Sequence, residues 1–412
     1  MTRKRNVLVL VEFFGQGGAE RVAAMVAKML ASDGSFNVWL YSIQGGGVIP
    51  HLEGITSGSL NVSNGQGLAK KIKNYYLKVH RLSQLKKQLA IDVSISSLWP
   101  VDWINALTGH EKKVAVIQIN ILNNVQNEKM VKLRKLVTAV YSRFDKVVLG
   151  GGNLIEEMNG FFKIEKQKLL VIQNPVETKR VAKNLEQPLP YSLPDIFEKY
   201  QVLVAANRLS IIKNTEALIP IYKALPNQEK VKLLIIGEGE EKERIQQFIL
   251  SEGLSYSQVE ADVFEEKANI YFLNFQENIH SLISKSNVFL FSTKAEGLPL
   301  TLLEAMSAGA PILVSDCPNG GIGEIIKGTF AFDYENPRLI PEKFQGGYLM
   351  PIPLVDRPET IEKWKNKIEE ILTADQMQLK KMTASNKAKA EEFDIENVKV
   401  AWVSMIQGLF EN

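Results

Sequence analysis

Two glutamates flank a turn and the start of a helical pattern in the last third of the chain. Glu296 precedes the turn, the pattern opens at about Pro299, and Glu304 lies roughly one and a half turns further on. Proline favours the first position of a helix, and the free backbone amides of a helix start favour an anion. The sequence therefore predicts an anion at this point, between two carboxylates. The amides are those of Leu300, Thr301 and Leu302.

A nucleotide diphosphate sugar fits this arrangement. The diphosphate takes the helix start, one glutamate accepts hydrogen bonds from ribose hydroxyls, and the other accepts them from the sugar. Two solvated glutamates are the alternative interpretation of such a pair. The glycines, prolines and apolar residues between Glu296 and Pro311 favour a built ligand site instead.

Two cations follow the strand with which the second half of the chain begins. Arg208 comes directly after this predicted strand, and Lys213 comes five residues later. Together they can neutralise a departing diphosphate, the work that a metal ion does elsewhere. Either residue alone would be interpreted as a surface cation. No paired aspartates of the metal-binding kind are evident, so we expect neither a metal nor another cofactor.

A glycine turn follows the first predicted strand. Gly17 and Gly18 allow the backbone to approach a ligand closely. A dinucleotide-binding fingerprint, Gly-x-Gly-x-x-Gly, is the competing interpretation. Here Gly15-x-Gly17 is followed at the third position by Glu20, which is not glycine.

Short β-branched runs alternate with helical patterns along both halves of the chain, which favours βαβ units and parallel sheets. The alternation lapses between Thr178 and Tyr200, a proline-rich stretch that we interpret as an irregular interdomain connection. An α/β fold follows, with two Rossmann-like domains facing each other across a cleft. The predicted strands are Asn6–Val11, Asn37–Tyr41, Asp92–Ser96, Lys113–Ile119, Lys146–Leu149, Lys168–Ile172, Gln201–Ala206, Lys232–Ile236, Asn269–Leu273, Asn287–Phe291 and Pro311–Ser315.

The chain resembles the family 4 retaining glycosyltransferases (glycosyl transferases group 1), which have the GT-B fold. Glu296 and Glu304, with seven residues between them, match the donor signature of that family. Further segments match in order along nearly the whole chain. They are Gly17–Arg21, Asn174–Val176, Asn207–Leu209 with Lys213, Gly237–Glu240, Phe272–Phe275, Asp316–Gly321 and Gly347–Leu349.

The resemblance implies a metal-independent enzyme that moves a hexose-type sugar, with retention, from a nucleotide diphosphate sugar. UDP is the expected nucleotide, and the acceptor is a glycan or lipid-linked glycan in surface polysaccharide biosynthesis. Residues 1–175 would bind the acceptor, residues 176–392 the donor, and residues 393–412 would form a helix on the first domain. Glu296, Arg208 and Lys213 are the implied catalytic residues. The implied donor-binding residues are Gly17, Gly18, Arg208, Lys213, Gly237, Phe275, Glu296, Leu300, Thr301, Leu302 and Glu304.

Two alternatives stay open. A nucleotide-sugar 2-epimerase of the same architecture would release a free epimerised sugar, although the glutamate spacing disfavours it. A sugar-nucleotide-binding subunit without activity is the other.

One departure from the family pattern concerns the first domain. Members often carry a histidine after a middle strand of that domain, close to the reacting sugar. Gln118 and Asn120 stand there in this chain, and His110 precedes the strand. An amide donates hydrogen bonds but cannot act as a base. Gln118 and Asn120 are therefore expected on the acceptor side, and the departure keeps the inactive subunit open.

Charge is divided unevenly along the chain. Residues 1–170 hold 23 basic and 12 acidic residues, a balance of +11, and the remainder holds 26 and 34, a balance of −8. The stretch Ala69–Leu89 contains seven Lys or Arg and no acid, with apolar residues at helical spacing. Such a helix can lie on anionic lipid, while an outer helix of a Rossmann domain shows a similar pattern.

Localisation and partners follow from these features. The single cysteine, Cys317, suits a reducing compartment, and no run approaches the length of a transmembrane helix. We expect a cytoplasmic protein, peripheral at the inner face of a membrane through Ala69–Leu89. Its expected partners are the sugar donor and a glycan acceptor, not nucleic acid.

Overall fold

The computed structural model describes residues 3–15, 17–47, 52–119, 121, 127–189, 193–260, 265, 267–276, 278–318, 321–328 and 338–411. The chain forms two compact units, which are described separately. The first comprises residues 1–175 and 395–412, and the second comprises residues 176–394. Among the described helices, none is long and apolar enough to cross a membrane.

The first unit is built on a seven-stranded parallel sheet with the order β3-β2-β1-β4-β5-β6-β7. Its strands are β1 (Arg5–Val11), β2 (Phe36–Ser42), β3 (Ile55–Ser59), β4 (Val93–Ser97), β5 (Lys112–Ile117), β6 (Lys146–Leu149) and β7 (Leu169–Val171). Its α-helices are α1 (Gly18–Asp33), α2 (Leu68–Gln88), α3 (Trp99–Ala106), α4 (Asn127–Tyr141) and, from the end of the chain, α14 (Ile395–Gly408).

Strand β1 shows why this sheet is parallel and covered on both faces. Its residues Val7–Val11 are buried without alternation, as expected for a strand with helices on either side. Helix α14 packs against α1, and Trp402, Met405 and Ile406 are buried on it. The C-terminal helix is therefore part of the first unit.

The second unit has an eight-stranded sheet with the order β10-β11-β9-β8-β12-β13-β15-β14. Only the β14–β15 pair is antiparallel among the described pairs. The strands are β8 (Gln201–Ala206), β9 (Val231–Ile236), β10 (Tyr256–Gln258), β11 (Ile270–Leu273), β12 (Val288–Phe291), β13 (Ile312–Ser315), β14 (Glu342–Phe344) and β15 (Gly347–Met350). The α-helices are α5 (Thr178–Leu185), α6 (Leu193–Lys199), α7 (Leu218–Lys223), α8 (Lys242–Ser251), α9 (His280–Lys285), α10 (Leu300–Ala308), α11 (Gly321–Lys327), α12 (Pro358–Leu372) and α13 (Gln376–Glu391).

The expectation of an irregular segment between Thr178 and Tyr200 is wrong. Helices α5 and α6 both lie within it. Pro188 falls between them, and Pro194 is the second residue of α6. The first turn of a helix tolerates proline because its amide has no intrahelical acceptor. Proline content therefore marked the helix boundaries and not a loop.

A buried carboxyl lies between α3, β4 and α4 in the first unit. Ser96 Oγ donates to Oδ1 of Asp102 at 2.6 Å, and the Tyr141 hydroxyl donates to Oδ2 at 2.9 Å. Burial raises the pKa of Asp102 to about 8, although these two hydrogen bonds favour the ionised form. The folded chain thus holds this proton more tightly than the unfolded chain does.

We therefore predict that the first unit loses stability as pH rises from about 4 to about 8. In that window the unfolded carboxyl is ionised, while the folded one is still protonated. The free energy of unfolding therefore falls by up to about 1.4 kcal/mol for each unit by which the pH rises. Thermal unfolding of Asp102→Asn should show a flatter pH profile than the wild type. The exposed Asp356→Asn is the control, and parallel profiles for Asp102→Asn and wild type would contradict the assignment. Burial also lowers the pKa of Lys86 to about 8. That shift makes stability rise with pH, but only above a pH of about 8, outside the window of Asp102.

Candidate active site

The strand order of the second sheet reverses at β8, which pairs with β9 on one side and β12 on the other. In open parallel sheets, ligands bind outside the carboxyl ends of the strands at such a switch point. Arg208 and Lys213 follow β8, and Glu296 follows β12. The structure thus brings these residues to the edge where the fold favours a ligand.

Hydrogen bonds join the loops that follow β8 and β12. The Lys294 amide donates to the Ile212 carbonyl at 2.8 Å. The buried Asn214 side chain donates to the carbonyls of Ser292 at 3.1 Å and Pro353 at 2.8 Å. Asn214 itself adopts a left-handed φ of 55°, which asparagine tolerates better than most residues. These bonds hold the two loops together before any ligand arrives.

Lys213 and Glu296 form an ion pair across the two loops, with Nζ against Oε1. Their side chains are 25% and 11% exposed, so the pair is partly shielded from water but accessible. An ammonium that contacts a carboxylate in this position can exchange it for a diphosphate. A diphosphate held by Lys213 and a sugar held by Glu296 would then be neighbours.

Arg208 is directed elsewhere. Its Nη2 and Nε donate to Oε2 of Glu240, at 3.1 Å and 3.3 Å, and its side chain is 73% exposed. A hydrogen bond from its own backbone amide and then the Arg208 guanidinium hold the pKa of Glu240 below the ordinary value. Among the contacts of the described residues, none joins Arg208 to the Lys213–Glu296 pair, so Arg208 must change rotamer to reach a ligand there.

The helix after Glu296 begins one residue later than expected. Pro299 is the N-cap, with an extended φ of −74° and ψ of 119°, and helix α10 starts at Leu300. The first intrahelical bond runs from the Leu303 amide to the Pro299 carbonyl at 3.4 Å. The three preceding amides, those of Leu300, Thr301 and Leu302, therefore have no intrahelical acceptor. Although the helix starts at Leu300 and not at Pro299, the amides expected to bind an anion are the same three.

Two glycines permit close backbone approach around the switch point. A Cβ on Gly321 would lie 1.5 Å from the Gly297 carbonyl oxygen, so glycine lets α11 start against the turn after β12. A Cβ on Gly237 would lie 2.0 Å from the Asn207 carbonyl oxygen, and its φ of 140° also favours glycine. Phe275 follows β11, which pairs with β9, and its ring is exposed.

Glu304 lies one turn into α10 and is 8% exposed. Its Oε1 is 3.6 Å from Nε2 of His280, the first residue of α9. This contact could not be predicted from the sequence, because 24 positions separate His280 from Glu304 and no local motif links them.

The remaining predicted site residues belong to the first unit. Gly17 is the N-cap of α1 and Gly18 its first residue, both exposed. A Cβ on Gly17 would lie 2.2 Å from a carboxylate oxygen of Glu20, so this helix start already faces a carboxylate. Gln118 follows β5, and its buried Nε2 has no hydrogen-bond partner among the described residues. Asn120 lies outside the described residues.

Comparison with known proteins agrees with this geometry. Residues 194–343 match the model of the family glycosyl transferases group 1. An uncharacterized glycosyltransferase from Methanocaldococcus jannaschii is 25% identical over 82% of this chain and 84% of its own length. The chain is therefore similar to group 1 glycosyltransferases, and the family match lies within the second unit.

Two further proteins are similar to this chain, one in sequence over about a third of its length and the other in fold over nearly all of it. The amylovoran biosynthesis glycosyltransferase AmsD of Erwinia amylovora is 33% identical over 35% of this chain and 38% of its own. The crystal structure of Anabaena HepE, solved with UDP and glucose, matches with a TM-score of 0.71. That match has 16% identity and covers 98% of this chain and 100% of HepE. The predicted GT-B fold, with two Rossmann-like domains, is confirmed.

Proposed function

We propose that this protein moves a hexose from a UDP-sugar to a glycan or lipid-linked glycan, with retention of the anomeric configuration. The observation that carries the proposal is the Lys213–Glu296 pair at the switch point, beside the free amides of α10. These groups can hold a diphosphate and a sugar hydroxyl next to each other. HepE, which was solved with UDP and glucose, supports a uridine donor.

In the proposed reaction the bond between the anomeric carbon and the diphosphate oxygen breaks, and UDP leaves with the electron pair. Lys213 and the α10 amides stabilise the developing charge. Arg208 joins them by leaving Glu240, since its side chain is largely exposed. The acceptor hydroxyl attacks from the same face, and its proton passes to the departing phosphate oxygen. We propose that no metal takes part, because the cations fill that role.

The test is release of UDP from a panel of UDP-hexoses, with GDP-mannose for comparison, in EDTA. We expect slow hydrolysis to UDP and the unchanged hexose, without need for added Mn²⁺ or Mg²⁺. Full inhibition by EDTA, reversed by the metal, would contradict metal independence. A released sugar with inverted C2 would identify an epimerase, and no release from any donor would favour the inactive subunit.

We also propose that helix α2 brings the first unit to an anionic membrane surface. The alternative, an ordinary outer helix, expects the apolar stripe to be buried. In α2 the large apolar residues of the first half are exposed instead, by 40% to 76%. They are Leu68, Ile72, Tyr75 and Tyr76. Exposed lysines surround them, and the helix has no acid to repel anionic lipid.

Not every cation of α2 is available for lipid. Lys78 is buried and donates to Oδ1 of Asn64 at 2.5 Å, and Lys86 is buried against Glu111 at 2.5 Å. Lys70, Lys71 and Lys73 are exposed. These three are therefore the residues to change.

Changing Lys70, Lys71 and Lys73 to glutamine should weaken binding to phosphatidylserine vesicles by about 100-fold, since each cation contributes about 1 kcal/mol. Wild-type binding should fall as salt rises. The matched control changes Lys380, Lys381 and Lys387 of α13, which are exposed as well. Co-sedimentation is the measurement, and a wild type that stays in the supernatant at low salt would refute the proposal.

A further inference from the structure

A buried histidine lies between Glu304 and a neighbouring helix in the second unit. His280 is 3% exposed, and α9, which it begins, packs against both α5 and α10. Its Nε2 lies 3.6 Å from Oε1 of Glu304, and its Nδ1 lies 3.0 Å from Nδ2 of Asn184. The imidazole therefore lies between α5 and α10, with a hydrogen bond to Asn184 on one side and the Glu304 carboxylate near its other nitrogen.

The asparagine decides which ring nitrogen carries the proton. An amide nitrogen can only donate, so Nδ1 of the neutral His280 must accept from Asn184. The proton of the neutral ring then lies on Nε2, the atom that faces Glu304. This tautomer presents a hydrogen-bond donor to the carboxylate, as histidine–carboxylate pairs require.

The ring is also held in place by its backbone. Asn278 accepts from the His280 amide at 3.1 Å, and its side-chain nitrogen donates to the Asn184 carbonyl at 3.1 Å. One asparagine thus fixes the start of α9 against the last turn of α5. The position of the imidazole relative to Asn184 is determined twice, by side chain and by backbone.

We propose that His280 is a positioning residue, which orients the Glu304 carboxylate for the two ribose hydroxyls of the nucleotide. This inference rests on the proposed function, to which it adds an assignment: Glu304 accepts from the ribose hydroxyls and Glu296 from the sugar. At 3.6 Å the contact is longer than a hydrogen bond. Such contacts in ligand-free sites often tighten in the complex. A carboxylate anchored through Oε1 cannot rotate freely, so the direction in which it meets a ribose is fixed.

Two substitutions of His280 separate the two nitrogens. Glutamine places its side-chain nitrogen near the position of Nε2 and keeps the donor toward Glu304. Asparagine is shorter, so it keeps a polar atom near the position of Nδ1 but loses the donor toward Glu304. Asn184→Ala removes the donor that sets the tautomer while leaving the ring in place, and it is the second variant should His280→Asn not fold.

The measurement is the ratio of affinities for UDP and 2′,3′-dideoxy-UDP, by calorimetry, in wild type and variants. We expect the wild type to prefer UDP by roughly tenfold or more, because charged hydrogen bonds to the hydroxyls are lost in the analogue. His280→Asn should bring the ratio close to that of Glu304→Ala, and His280→Gln should keep the wild-type ratio. Asn184→Ala should lower it less.

The outcomes separate this inference from the proposed function. If the wild type binds both nucleotides equally, Glu304 does not bind ribose and this inference fails, while release of UDP from UDP-hexoses still decides the proposed function. If the wild type and Glu304→Ala differ as expected but His280→Asn keeps the full preference for UDP, only the role of His280 is refuted. A purely structural histidine would lower the thermal midpoint of His280→Asn and leave the ratio unchanged.

Discussion

Glu296→Gln should reduce kcat/KM for the UDP-sugar by about 10- to 150-fold and leave the affinity for UDP unchanged or slightly higher. In the proposed reaction the carboxylate accepts a hydrogen bond from the sugar, and a hydrogen bond to a charged group contributes about 1.5–3 kcal/mol. UDP has no sugar beyond its diphosphate, so it loses no contact. Lys213, released from its ion pair, becomes more available to the diphosphate.

Steady-state UDP release gives the first quantity and calorimetry with UDP gives the second. Glu252→Gln is a matched control, because Glu252 also pairs with a lysine, Lys223, at 3.0 Å. That pair lies away from the switch point, so we expect it to have little effect on either value. An equal loss for UDP and for the UDP-sugar would contradict the division of labour between Glu296 and Glu304.

Lys213→Ala should lower kcat by about 100- to 1,000-fold, the range found when one preorganised donor to a developing anion is removed. It should also weaken UDP binding. The substitution removes the ammonium and leaves the Glu296 carboxylate, which is 11% exposed, to repel the diphosphate. Arg208→Ala should cost less, because the arginine must first leave Glu240.

Stopped assays of UDP release measure these effects. Lys223→Ala removes an exposed lysine from an ion pair of the same kind and serves as the control. Recovery of activity in Lys213→Ala on removing the negative charge of Glu296 would support repulsion as part of the loss. Wild-type activity in Lys213→Ala would remove the lysine from the reaction.

The βα alternation predicted the central strands because each is a run of mostly buried apolar residues. Strand β3, Ile55–Ser59, escaped because only its first residue is strongly apolar. The β14–β15 hairpin escaped for another reason. Its strands, Glu342–Phe344 and Gly347–Met350, contain no β-branched residue, and the first has two charged residues out of three.

The candidate site divides in the same way. The positions of Glu296, Pro299 and Glu304 around a helix start could be predicted from the sequence, because a strand, a turn and a helix start depend on local residues. The pairing of Lys213 with Glu296 joins residues 83 positions apart, and that of Asn184 with His280 spans 96. Such contacts depend on which strands are neighbours in the sheet. The local sequence around β8 or β12 does not predict that these two strands are neighbours in the sheet.

A crystal structure of the enzyme with UDP would test the central claim most directly. We expect diphosphate oxygens within about 3 Å of the amide nitrogens of Leu300, Thr301 and Leu302. We also expect the ribose hydroxyls against the Glu304 carboxylate, with Lys213 turned from Glu296 to the phosphate. A diphosphate bound at the Gly17–Gly18 turn, or a ribose out of reach of Glu304, would contradict the claim.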